Sequence, residues 1–253
     1  MTRQHMDLLI GWLLAVVAAA VMLGLGNWQL DRRAYKQALL QAHSQALQSP
    51  PHSLAAGLAS AAPVSAVADC GQWDGPVLVL DNQQHNGRAG HRSFQPWRSE
   101  QGAWVLVELG WRVWDGQRQL PVAQAQQGRQ CLRGVVVPVP SAGLRAGQGA
   151  AQALPGGGWL LTRLDPDSLP PLLGAQASAF NGQMLRPHAS LAPGHVLPEQ
   201  LLPNTLTPDK HLGYAVQWFA LATSVLLLAL ILSVRHLRGR TGHLTVKERR
   251  DDG

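Results

Sequence analysis

The chain has 253 residues, enough for one domain of ordinary size and a little more, and 46% of them are hydrophobic. Its formal net charge of +6 is supplied in good part by the C-terminal tail. No stripe of interleaved basic and aromatic residues accompanies that charge, so no nucleic-acid partner is expected. The two cysteines, Cys70 and Cys131, form no C-x-x-C pair, which argues against thiol redox work.

Residues 1–7 form a short tail before Leu8–Gly26, 19 residues without a charge. As a helix this run reaches about 28 Å, close to the hydrocarbon thickness of a bilayer, and it carries no polar face. It exceeds the h-region of a signal peptide, about 7–15 residues, and no small-x-small cleavage site closes it, so an uncleaved anchor is expected. From Leu30 to about Leu47, Leu30, Ala34, Ala38 and Ala42 recur at helical spacing without Gly or Pro. The first membrane helix is therefore predicted to continue until Ser49-Pro50-Pro51. "HSLAAGLASAA" reads as a short second helix.

Beyond it the character changes. "PVLVLDNQQ", "HRSFQPW", "AWVLVELGWRVW", "CLRGVVVPVP" and "WLLTRLD" are β-branched or aromatic runs divided by turn residues. Asn86-Gly87 is a hairpin signal, because both positions tolerate positive φ. In "WVLVELGW", Trp104, Leu106 and Glu108 fall on one face and Val105, Val107 and Leu109 on the other. Strands without intervening helices predict an antiparallel sheet or small barrel. "RAGQGAAQALPGGG" reads as a loop, and Asn181-Gly182 as a turn before "QMLRP". Cys70 and Cys131 both fall in this segment. Their spacing leaves a disulfide and two free thiols equally open.

Tyr214–Val234 is a second uncharged run of 21 residues. Arg3 at one end and six Lys or Arg residues in the tail 235–253 outweigh Arg32, Arg33, Lys36 and Lys210 on the opposite flanks. By the positive-inside rule both termini lie in the cytoplasm and residues 27–212 outside it. The expected fold is thus an α+β membrane protein. Two transmembrane helices, 8–26 and 213–234, flank a mostly antiparallel-β extracytoplasmic domain with a helical entry segment. With no organelle leader evident, a bacterial cytoplasmic membrane and a periplasmic domain are expected.

Motifs for catalysis are missing: no G-x-S-x-G, P-loop, G-x-G-x-x-G after a strand, or H-E-x-x-H. Soft copper ligands are sparse and unclustered. His85 and His91 flank the hairpin turn and read as solvated loop histidines. The helix mouths remain. His211, Tyr214, Ala215 and Trp218 stand at i, i+3, i+4 and i+7, on one face. Imidazole is a common axial ligand of haem iron, and a porphyrin favours aromatic and small neighbours. Trp28, Gln29 and Arg32 mark the matching mouth of the first helix, where Gly24 and Gly26 permit close approach. Arg32 is suited to an anionic group such as a propionate or a lipid phosphate. Spacing alone leaves haem ligation and an aromatic-basic membrane anchor both open.

"LGNWQLDRRAYK", "VLVLDNQQHNGRAGH", "WVLVELGW" and "PDKHLGYAVQWFALA" together resemble the Surfeit locus protein 1 family of cytochrome c oxidase assembly factors. The resemblance covers nearly the whole chain and is most specific in the last segment, similar to N-x-H-x-x-Y-A-x-x-W-F. It departs at Asp209-Lys210, where polar amides are usual, and at Glu108-Leu109-Gly110-Trp111, which lacks the arginine of R-G-W. The resemblance implies handling of haem a and its insertion into the catalytic subunit of the oxidase, with His211 as the iron ligand. Trp28, Gln29 and Arg32 map onto the W-Q-x-x-R element, and Tyr214 and Trp218 complete the expected haem-binding set. Expected partners are the catalytic subunit, haem a synthase and membrane lipid. The rival readings are a scaffold that stabilises the subunit without haem, and a membrane-anchored enzyme. No enzymatic chemistry is expected.

Overall fold

The computed structural model describes residues 3–115, 120–140, 151–164, 169–173, 180–198 and 206–251. The chain divides into two compact units. One comprises Met1–Gln37 with Leu206–Gly253, and the other Ala38–Thr205.

The first unit is built from two long helices, α1 (Arg3–Gln48, its end belonging to the second unit) and α4 (Pro208–Asp251). Both contain stretches long and apolar enough to cross a membrane. α1 runs to the predicted break, where two prolines remove the donors that would continue it. α4 opens with Pro208, whose fixed φ and missing N–H suit a first helical residue, and with Asp209 in the first turn against the positive helix end. Along α1 the buried positions include Ala19, Gly26 and Gln29; along α4 they include His211, Ala215 and Ala222. Small side chains on both stripes let the backbones approach. The Trp12 indole N–H donates to Ser233 Oγ (2.8 Å) at one end of this antiparallel pair.

The second unit begins with the end of α1 and with α2 (Leu54–Leu58), whose N-cap Ser53 accepts from the Ala56 amide. The strands are β1 (Ser65–Trp73), β2 (Leu78–His85), β3 (Arg88–Ser99), β4 (Trp104–Val113), β5 (Arg129–Pro138), β6 (Ala151–Ala153), β7 (Trp159–Leu161) and β8 (Gln183–Pro187), with a short α3 (Pro170–Leu173) before the last. Their order is β1-β5-β8-β4-β3-β2-β7-β6, and β1 also pairs with β3. That extra pairing closes β1, β5, β8, β4 and β3 into a small barrel, leaving β2, β7 and β6 as a flap. The sheet is mostly antiparallel as expected, but β2–β7 and β4–β8 are parallel.

The hairpin at Asn86-Gly87 joins β2 to β3 with φ of 49° and 73° at the two turn residues. Cys70 and Cys131 stand opposite each other on β1 and β5 and are disulfide-bonded. The segment read as a loop before Gly158 contains β6 at its described end, paired with β7; residues 145–150 lie outside the described residues.

β4 is buried at every position from Trp104 to Trp111. Trp104 and Leu106 join one core, with Leu78, Phe94, Met184 and the α1 residues Leu39 and Ala46. Val105 and Val107 join a second, with Leu54, Trp97 and Leu132. Leu109 departs from its predicted face. β3 pairs Ser93 with Gly110 and Phe94 with Glu108, so Leu109 is the extra residue of a β-bulge. It lines a cavity with Val77, Val79 and His91 instead of joining Val105 and Val107. Gly110 after it adopts φ 130°, and a Cβ there would press on Ser190 Oγ, His195 Cβ and the Val196 carbonyl.

Glu108 is fully buried, with Arg92 1% and Arg186 4% exposed beside it. Arg92 Nε donates to Glu108 Oε1 (2.8 Å), its Nη2 lies 2.5 Å from the same oxygen, and Arg186 Nη1 is 3.9 Å from Oε2. β4 itself lacks the arginine of R-G-W. The fold supplies two from neighbouring strands.

Candidate functional site

Gln29 projects from α1 and His211 from the first turn of α4, and both are buried, at 8% and 5% exposure. His211 Nδ1 lies 2.5 Å from Gln29 Oε1. An amide oxygen only accepts, so with the amide placed this way the imidazole proton sits on Nδ1 and donates to Gln29. The lone pair is thereby left on Nε2, which is buried and has no hydrogen-bond partner among the described residues. An unsatisfied buried acceptor costs about 1–3 kcal/mol. A metal–imidazole bond would engage that lone pair. An outer hydrogen bond that fixes ring orientation and tautomer is the usual support of a ligating histidine.

Cationic groups gather around this pair. Lys36 and Arg32 lie close enough for their charges to act on His211. Lys36 Nζ donates to the Leu206 carbonyl (2.5 Å), holding the start of α4 against α1. Among the described residues the Arg33 Nε, four residues after Gln29, is buried without a partner. Arg32 sits over the Trp28 ring, 5.7 Å from its centroid, a cation–π contact at the exposed side of α1.

The six expected residues are not equivalent. Gln29 and His211 are brought together; Arg32 and Trp28 are paired with each other. Tyr214 is 43% exposed, so the expected single face on α4 is divided: His211 and Ala215 turn to α1, Trp218 is half-buried, and Tyr214 faces outward. Lys36, the lysine that closes the "LGNWQLDRRAYK" segment, is a further site residue. Lys36 stands four residues after Arg32 and seven after Gln29, on the same side of α1.

Of the two glycines expected to permit close approach, only Gly26 does so. A Cβ there would lie 2.5 Å from the Phe219 ring, whereas one at Gly24 meets nothing within 4 Å. Gly26→Ala is expected to destabilise the helix pair by about 1–3 kcal/mol through overpacking. A Gly26→Ala/Phe219→Ala double variant should recover most of it. Thermal melts of detergent-solubilised protein check this; equal losses in single and double variants would place the strain elsewhere.

The histidines near the hairpin correct the expectation of solvated loop residues. His85 is half-buried against the Trp111 ring at 5.2 Å. His91 is 4% exposed, 4.7 Å from the Trp114 ring and 6.0 Å from that of His195. Burial pushes His91 down to about 4, with the charges of His195 and Arg112 acting the same way and Asp81 opposing. Burial also lowers His195, against its bond to the Pro193 carbonyl. Both rings stay neutral in the fold and bind protons more readily once unfolded. The contribution of His91 to stability is complete above the ordinary histidine value of 6.5 and is lost as pH falls toward 4, and His195 acts in the same direction. The melting temperature of the parent is expected to fall over that window more steeply than that of His91→Gln. Parallel curves would remove His91 from the acid response.

Comparison with curated protein sequences gave no match. A family model described as the SURF1 family matches residues 16–223, which take in both helix mouths and the whole β unit between them. The chain therefore belongs to the SURF1 family, a family of cytochrome c oxidase assembly factors.

Proposed function

We propose that this chain handles haem a during oxidase assembly, receiving it at the helix mouths and passing it to the catalytic subunit. The observation that carries the reading is the free lone pair on His211 Nε2, fixed by the Gln29 bond to Nδ1. In this reading haem a is cargo and supplies an iron with a vacant axial position. His211 offers the axial nitrogen, Gln29 holds the ring in one tautomer, and Arg32 and Lys36 present cations for the propionates. Trp218 and Ala215 continue the apolar wall along α4. Haem a synthase, which makes the cargo, and membrane lipid are further proposed partners.

The two apolar helices cross a bacterial cytoplasmic membrane in this reading, with both termini inside and the β domain in the periplasm. The Lys/Arg-rich tail after α4 supports that orientation. The Cys70–Cys131 disulfide supports an oxidising compartment for the β domain. No bond-making step is assigned to the chain.

The competing reading is a scaffold that binds the catalytic subunit without haem, and the 5% exposure of His211 favours it. A complementation experiment separates the two. Cells making haem a but lacking this chain should yield a catalytic subunit poor in haem a. The parent should restore the haem content and His211→Ala should not. Full restoration by His211→Ala would assign the chain to scaffolding.

A further inference from the structure

The cavity beside the β4 bulge carries chemistry that the helix mouths do not use. The backbone builds it tightly. Trp111 N–H donates to the Val196 carbonyl (2.6 Å) and Val196 N–H to the Trp111 carbonyl (2.8 Å). Ser190 Oγ and the Leu191 N–H both donate to the Leu109 carbonyl, at 3.0 and 3.1 Å. These four bonds pin residues 190–196 across the bulge and set His195 beside His91 of β3. The cavity has a volume of about 30 Å³ and is lined by His91, Ser93, Arg112 and His195, with Val77 and Leu109 among its apolar walls. That is room for one water or one ion.

The two rings are prepared unequally. His195 Nδ1 lies 3.1 Å from the Pro193 carbonyl and donates to it, so its lone pair is on Nε2, where the Ser93 hydroxyl donates at 3.3 Å. Among the described residues His91 Nδ1 is buried without a partner. Metal–nitrogen bonds of about 2.0 Å put the centroids of two imidazoles sharing one ion roughly 5–6 Å apart. The observed 6.0 Å, with the two rings at 82° to each other, falls within that range. Among the described residues no group of three His, Cys, Asp or Glu is placed to hold a metal. A four-coordinate zinc site therefore lacks its ligand set. The Arg112 guanidinium in the wall repels a divalent ion twice as strongly as a monovalent one. A closed-shell monovalent ion content with two nitrogen donors fits all of these.

We propose that His91 and His195 bind one cuprous ion in this cavity, at a site independent of His211. Neutral imidazole is a suitable copper donor, and the Pro193 carbonyl acts on His195 as the outer hydrogen bond that orients a ligand. Ser93 turns its hydroxyl away when the ion takes the Nε2 lone pair.

The test uses the full-length protein in detergent, under anaerobic ascorbate so that the disulfide is kept. Cu(I) is titrated in competition with bathocuproine disulfonate, and X-ray absorption is recorded on the loaded protein. One Cu(I) per chain with two imidazole scatterers is expected, unchanged in His211→Ala. His91→Gln and His195→Gln should each weaken binding by at least the ~100-fold found at the upper end for outer-shell changes. No Cu(I) uptake by the parent would overturn the proposal and leave the cavity to a water. Undiminished uptake by both variants, or loss of uptake in His211→Ala, would also overturn it. Should either variant fail to fold, the absorption spectrum of the loaded parent decides, and sulfur ligands or a higher coordination number would count against the site.

Discussion

Replacing Glu108 by Gln is expected to destabilise the β domain by about 3–5 kcal/mol, the cost of removing one partner from a buried ion pair. The carboxylate is fully buried and faces two arginines that are almost as inaccessible. Without its charge, two guanidiniums remain in a core that cannot hydrate them, while burial already lowers the pKa of Arg186. At roughly 2–4 °C per kcal/mol for a domain of this size, the melting temperature should fall by about 6–20 °C. A triple variant, Arg92→Met/Glu108→Leu/Arg186→Met, should return close to the parent, because apolar replacement of a complete buried network is often neutral. Near-UV circular dichroism melts measure both. A Glu108→Gln protein melting with the parent would show that water or relaxation already screens the triad.

Replacing Gln29 by Leu is expected to weaken haem a binding about 10–100-fold, the usual effect of losing an outer-shell partner of a ligating histidine. The change keeps the side chain's bulk but leaves Nδ1 of His211 without its acceptor. The tautomer that places the lone pair on Nε2 is then no longer favoured. Titration of haem a into the detergent-solubilised proteins, followed in the visible region, gives the ratio of affinities. An affinity equal to that of the parent would mean that the Gln29 bond organises the helix pair and not the ligand.

How much of this was legible beforehand depends on the range of the interaction. The Asn86-Gly87 hairpin was readable because its φ requirement is local. The length of α1 was readable because a helical period ended at two prolines. β1 was not. "SAVADCGQW" has few β-branched residues, and its strand character comes from pairing with both β5 and β3. Its Gly71 shows the same dependence, since a Cβ there would collide with the Arg98 carbonyl of β3. The bulge at Leu109 was hidden for a related reason: alternation in one strand carries no record of an extra residue relative to its neighbour. His91 was misread because proximity to a turn suggests solvent, whereas β4 and the 190–196 segment cover it.

The candidate site divides along the same line. His211, Gln29 and Arg32 each stood out as polar residues at the mouth of an apolar run. That Gln29 meets His211 across 182 residues of sequence depends on the pairing of α1 with α4. Small residues permit that pairing without specifying its register. Tyr214 was grouped with His211 on spacing, but a helical face about 100° wide has an edge, and Tyr214 lies on its exposed side.

The central claim is that the His211 lone pair takes the iron of haem a. Its most direct test is the visible spectrum of the full-length protein, purified in mild detergent from cells shown to contain haem a, beside His211→Ala recovered in equal amount. A haem a spectrum in the parent that is lost in the variant is the predicted result. Haem a retained by His211→Ala, or a colourless parent, would contradict it.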